Sequence, residues 1–205
     1  MTSSALALEN IALEGHHVRL EPYTAALEEE VRRALDCDAP AWELFAMSGQ
    51  GPHFDGWWTT LNRQVALGTW IAYAIRERAS GAVVGTSSYL NIRNERQCVE
   101  IGATFLHPDV RAGYVNPEAK LLMLQHAFAC GARRVELLTD ARNLRSQAAI
   151  AKLGAVREGV LRRDRITWTG HVRDSVIYAV TDLDWPQVCA GLEQRLATAP
   201  KPAGT

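Results

Sequence analysis

Cysteine is scarce in this chain. Four occur among 205 residues, Cys37, Cys98, Cys130 and Cys189, and no two form a C-x-x-C pair. That excludes a small disulfide-built domain and a thiolate metal ribbon. Free thiols in a reducing compartment, the cytoplasm, are expected. Neither sign of charge is in excess: 22 basic against 23 acidic residues give a formal net charge of -1. No global field therefore favours nucleic acid or an anionic membrane. No apolar run approaches the roughly 20 residues of a membrane span. The opening Met1-Thr2-Ser3-Ser4 lacks the basic-then-apolar pattern of a secretory signal. None of the six histidines falls in HxxxH or HExxH, so no metal site is expected. A GxSxG elbow, a GxxxxGK[ST] loop and a GxGxxG fingerprint are all missing. Cys130 has no accompanying order of histidine and acid, which argues against thiol hydrolysis.

What is present is a chain with 47% apolar residues, enough for one core, and no internal repeat. Residues 1–15 read as an N-terminal extension, 16–197 as one domain and 198–205 as a disordered tail. Period-two alternation predicts strands at 18–21, 70–75, 82–90 and 97–105. In the last of these, Val99, Ile101, Ala103 and Phe105 should point one way and Glu100, Gly102 and Thr104 the other. Helical spacing predicts helices over 24–34 and 54–66, with an irregular segment over 37–56 holding a short helix near 42–45.

The period then changes. Asn116 can cap a helix with Pro117 in its first position, and Gly131 can end it. A strand at 134–139 follows, then a helix over 144–153 capped by Asn143 and closed by Gly154. A hairpin of 160–163 and 173–180 and a helix over 185–196 complete the chain. Closely joined early strands must be antiparallel, whereas the strand–helix–strand unit over 99–139 favours a parallel pair. The fold class is therefore a single α/β domain with a mixed, mostly antiparallel central sheet flanked by helices.

Three groups of residues can carry chemistry. The loop Arg111-Ala112-Gly113-Tyr114-Val115-Asn116 enters a helix, whose first N–H groups lack internal partners and can hold a phosphate. Arg111 adds charge, and Gly113 permits one unusual backbone position. Taken alone, the loop fits a capped structural helix equally well. Asn143 and Ser146 share a second helix mouth; Asn143 can simply be the cap. Glu100, on a central strand, is either solvated or set in a polar cleft, and Glu136 poses the same question. Trp42, Phe45 and Trp57 can line an acceptor cleft or pack the first helices. Tyr178 can be a core residue or a cleft residue.

The order and spacing of several blocks resemble the GNAT acyl-CoA-dependent N-acetyltransferases, nearest the branch of ribosomal-protein alanine N-acetyltransferases. The blocks are Val99-Glu100-Ile101-Gly102, Asn116-Pro117-Glu118-Ala119-Lys120-Leu121-Leu122, Asn143-Leu144-Arg145-Ser146, Leu153-Gly154-Ala155-Val156-Arg157-Glu158-Gly159 and Arg173-Asp174. The resemblance implies a central sheet splayed near Phe105, with acetyl-CoA as cosubstrate in the opening. It implies pantetheine contacts at Ala103, Thr104 and Phe105, and pyrophosphate contacts over 111–116. Asn143 and Ser146 would face the thioester end. By the same resemblance Glu100 is the base and Ser146 the acid. The acceptor is an amine, either a peptide N-terminus or a small drug or metabolite molecule, and a homodimer is compatible with the family. The loop departs from the family pattern Arg/Gln-x-x-Gly-x-Gly/Ala. Its glycine stands at 113, with Tyr114 and Asn116 in the usual small positions. A non-catalytic CoA- or protein-binding module is the alternative that this departure keeps open.

Overall fold

The computed structural model describes residues 5–198, so the tail from 199 onward lies outside the described residues. One eight-stranded sheet organises the described residues, in the order β1-β2-β3-β4-β5-β6-β8-β7. Its strands are β1 (Leu13–Glu14), β2 (Val18–Pro22), β3 (Ile71–Glu77), β4 (Val83–Arg93), β5 (Cys98–Leu106), β6 (Arg134–Asp140), β7 (Val156–Ile166) and β8 (Val172–Thr181). The helices are α1 (Glu28–Leu35), α2 (Ala39–Trp42), α3 (Phe54–Ala66), α4 (Val115–Ala129), α5 (Leu144–Ala151) and α6 (Trp185–Ala197). All neighbouring strands are antiparallel except β5 and β6. That pair is joined through α4, the crossover that a parallel pair requires.

Each face of the sheet buries its own core. On one face Leu20, Tyr73, Tyr89, Val99 and Ile101 pack against Ala119, Met123 and Leu124 of α4 and Val188 and Leu192 of α6. Leu6 and Leu13, from the segment expected as an extension, join the same core. On the other face Ala72, Ala74 and Phe105 pack against Val31 and Leu35 of α1, Trp42 of α2 and Phe54, Trp57 and Leu61 of α3. β3 is buried on both sides, so its residues alternate between the two cores. The α1 sequence fits its dipole, with Glu28, Glu29 and Glu30 in the first turn and Arg32 and Arg33 in the last. The Glu118 carboxylate, in the first turn of α4, accepts the N–H groups of His16, His17 and Val18 at 2.8, 2.7 and 2.6 Å. Three charge-assisted bonds thus tie the start of the sheet to α4.

Two features of β5 create the site. Parallel pairing with β6 covers only Cys98↔Arg134, Val99↔Val135 and Glu100↔Glu136. Beyond it β5 follows β4 as far as Leu106, while β6 follows β8 as far as Asp140. The sheet therefore opens from residue 101, earlier than expected, and Phe105 lies well inside the opening. The second feature is a bulge. Thr86 pairs with Phe105 and Ser88 with Gly102, which leaves Ser87 facing both Ala103 and Thr104. Ala103 takes the left-handed conformation, φ 48°.

The extra residue resets the alternation. Phe105 does not share a face with Val99 and Ile101; it lies in the opposite core, its ring stacked 4.4 Å from that of Trp42. A second difference concerns α4. The helix begins at Val115 with Tyr114 in the cap position, so Asn116 is not its cap and Pro117 occupies its third residue. Proline is tolerated there because the first-turn N–H groups have no helical acceptor.

Candidate active site

The opening is a cleft of about 580 Å³. One wall is residues 100–106 of β5, the other residues 137–140 of β6. Arg111, Ala112 and Asn116 at the start of α4 line it, as do Asn143, Arg145 and Ser146 at the start of α5. Phe45 and Trp57 line the side covered by α2 and α3.

Glu100 sits at the apex, where the strands part, and is only 3% exposed. Asn91 of β4 donates its Nδ2 to Glu100 Oε2 at 2.7 Å. Burial pushes the Glu100 carboxyl above the ordinary range, against the pull of Arg165 and the Asn91 hydrogen bond. Gly102 leaves room for the carboxylate: a Cβ there would stand 3.0 Å from Glu100 Oε1 and 2.8 Å from Leu90 Cδ1. Glu136, its neighbour across the parallel pair, plays a different part. Arg93 and Arg134 bind it, the latter at 2.8 Å, and outweigh burial to hold its carboxyl below the usual range.

The 111–116 loop divides its duties. Arg111 donates its Nε to the Leu106 carbonyl at 2.9 Å, ion-pairs with Asp38 and lies over the Phe105 ring. Its guanidinium thus braces the mouth of the cleft against the start of α2. The left-handed residue is Ala112, φ 62°, and not Gly113, contrary to the expectation for that glycine. Gly113, Tyr114 and Val115 do not line the cleft: Tyr114 donates its hydroxyl to Glu77, and Val115 is buried in the core. The N–H groups of Val115 and Asn116 have no intrahelical acceptor, and the Tyr114 side chain caps neither.

At the second helix mouth Asn143 Oδ1 accepts the Ser146 N–H at 3.0 Å, a true N-cap. Asp140, at the end of β6, is held by Arg142, whose bonds outweigh burial and keep the carboxyl ionised. Two expected cleft residues lie elsewhere. Trp42 is behind the wall, donating its indole N–H to the Leu35 carbonyl at 3.1 Å. Tyr178 is buried on β8 opposite Leu137.

Lys120 was not anticipated in the cleft. Lys120 of α4 is 4% exposed and lines the cleft beneath the β5 bulge. Its Nζ donates to Ser87 Oγ at 2.9 Å and to Thr104 Oγ1 at 2.6 Å. Burial lowers its pKa to about 7. Its sequence signal is weak, because a lysine among leucines on a helix usually snorkels to water. Among the described residues no cluster of three or more His, Cys, Asp or Glu is arranged to hold a metal ion, and no helix is long and apolar enough to cross a membrane.

The sequence profile of the acetyltransferase (GNAT) domain matches residues 17–156. A solved protein from T. thermophilus described as an acetyltransferase is 36% identical over 90% of this chain and 96% of its own, with a TM-score of 0.80. A GCN5-related N-acetyltransferase from Brucella melitensis is 26% identical over 93% of this chain and 87% of its own, with a TM-score of 0.82. Mycobacterium smegmatis RimJ, solved in complex with CoA-disulfide, shares the fold at 21% identity over 89% of this chain and 90% of its own, with a TM-score of 0.74. No curated protein sequence matches the chain.

Proposed function

Because the chain belongs to the GNAT acetyltransferase family, we propose that it transfers an acetyl group from acetyl-CoA to a primary amine, with Glu100 as the base. The observation that carries this is the parting of β5 and β6 at a buried glutamate. The cosubstrate fits that opening. Past residue 100 each strand has one edge unpaired with the other, and the amides at the start of α4 suit a pyrophosphate. When bound, acetyl-CoA supplies an activated acyl thioester. RimJ, solved with CoA-disulfide on the same fold, supports the assignment.

The chain's own groups divide the work. Glu100 takes the proton from the acceptor ammonium, directly or through a water; its burial raises it toward the pH at which a base is most effective. Backbone N–H groups of β5 near the bulge meet the negative charge that gathers on the carbonyl oxygen. Ser146 gives a proton to the sulfur as the C–S bond breaks and the N–C bond forms.

Amine basicity narrows the acceptor. A peptide α-amine titrates near 8 and a lysine amine near 10.4, so freeing the lysine costs roughly 3.4 kcal/mol more. One carboxylate is better matched to the α-amine. The resemblance of the sequence blocks to the ribosomal-protein alanine N-acetyltransferase branch points the same way. The acceptor is thus a protein N-terminus or a small molecule with an α-amine.

A thiol-release assay with acetyl-CoA against N-terminal peptides and small amines tests the reading. Wild-type protein should turn over at least one α-amine. Glu100→Gln should lose about a hundredfold or more in kcat while binding CoA as before. Equal turnover by wild type and variant across a pH series would remove Glu100 from the mechanism.

A further inference from the structure

The β7–β8 hairpin sets two arginines against each other. Arg165 and Arg173 are Cα partners in its antiparallel ladder, and both line the cleft. Like charges directly opposite repel. Arg173 is also 6% exposed. Its Nε donates to Ser175 Oγ at 2.9 Å and its Nη1 reaches the Leu44 carbonyl at 3.4 Å.

Among the described residues no carboxylate lies within ion-pairing distance of Arg173, because the nearby acids are engaged elsewhere. Asp164 accepts Arg165 Nε at 2.7 Å and the Ser175 hydroxyl at 2.7 Å. Asp140 is held by Arg142 at 2.8 Å. The remaining acid, Glu100, is the apex base itself. A buried guanidinium without an anion is costly, and an incoming oxyanion would relieve that cost.

The place of the pair separates it from the pyrophosphate amides. Arg173 touches Leu44, just beyond α2, and α2 covers the sheet face opposite α4. The pair thus stands on the α2 side of the sheet, where Phe45 and Trp57, the candidate acceptor residues, also line the cleft. Both arginines nevertheless act on the Glu100 carboxyl electrostatically, so an anion held by them lies near the base.

We propose that Arg165 and Arg173 form an anion subsite for the acyl acceptor, which is a primary amine carrying a carboxylate close to its nitrogen. The guanidinium fork matches a carboxylate in two parallel bonds, and a pair of them orients the acceptor with its amine toward Glu100. Two sources carry this chemistry, a free amino acid and a peptide beginning with aspartate. The inference rests on the acetyl-transfer reading for its role, but the subsite can be read by binding alone.

The test titrates the protein–CoA complex, by calorimetry, with a panel of free L-amino acids, their amides, and short peptides beginning with Asp or Asn. At least one acid should bind about tenfold or more tighter than its uncharged partner, a preference weakened by salt. Arg173→Gln should abolish the preference and leave CoA affinity unchanged. Arg165→Gln, at a partly exposed site, serves if the buried variant does not fold. Turnover of the same panel then separates the two readings. Turnover without preference for the acid sinks the subsite and spares the transferase. Binding preference without turnover of any amine does the reverse. Equal binding of acids and amides, or variants that weaken CoA and leave the acceptor profile intact, would overturn the proposal.

Discussion

Replacing Lys120 with methionine should stabilise the protein at neutral pH and do nothing, or slightly harm it, in alkali. Lys120 is enclosed by α4, β4 and β5, and its two partners are neutral hydroxyls. The pKa falls from 10.5 to about 7 because burial disfavours the ammonium. The unfolded chain therefore holds more protons than the folded one between those values, so stability rises with pH through that window. Below the folded value both states are protonated and the penalty is constant. A gap of this size corresponds to about 4–5 kcal/mol.

Methionine keeps the aliphatic stem and removes the charge. It strands neither hydroxyl, because Ser87 Oγ and Thr104 Oγ1 already bond each other at 2.7 Å. Subtracting about 1–2 kcal/mol for the two lost hydrogen bonds leaves Lys120→Met more stable by roughly 3 kcal/mol near pH 6. Urea titrations of both proteins between about pH 6 and 10 check this. The wild-type free energy should climb by up to about 1.4 kcal/mol per pH unit relative to the variant in the middle of the window. Parallel pH curves would show that the ammonium is solvated or paired in solution and would refute the argument.

Three further outcomes are expected at the site. The acid limb of turnover should lie above the ordinary carboxylate range, because burial raises Glu100 and activity falls as pH drops through that raised value; a limb near pH 4 in kcat/KM would contradict it. Gly102→Ala should displace the Glu100 carboxylate or Leu90 and lower kcat by about tenfold to a hundredfold with CoA affinity retained; unchanged kcat would show that the pocket has slack. Asn143→Ala removes the α5 cap and should cost about 1 kcal/mol in urea, while weakening acetyl-CoA binding by more; equal binding by calorimetry would reduce Asn143 to a cap alone.

Much of the scaffold was legible because local chemistry and tertiary structure agree. The start of α5 follows from its cap Asn143, although the helix stops at Ala151, two residues short of the expected end before Gly154, and the parallel β5–β6 pair follows from the length of the connection. The hairpin of β7 and β8 was legible in kind but is longer than its apolar residues indicate. β7 is an edge strand carrying Arg157, Arg162 and Arg163 at exposed positions. What escaped detection depends on backbone geometry without a residue signature. The bulge at Ala103 uses a left-handed alanine where glycine would have announced it, and it moves Phe105 to the other core. The same holds at Ala112, a left-handed residue just ahead of α4, which starts at Val115. Trp42 and Tyr178 show that an aromatic residue near a cleft in sequence is not thereby in it. Arg165 and Arg173 became a pair only through strand register, eight positions apart in the chain.

Amide hydrogen exchange, with and without CoA, probes the opening itself. Residues 101–106, 137–140 and 112–116 should exchange more slowly once the ligand fills the gap between the two strands, while the far edge at β1 stays unaffected. Unchanged protection in all three segments, with CoA demonstrably bound, would place the cosubstrate somewhere else and contradict the assignment of the cleft.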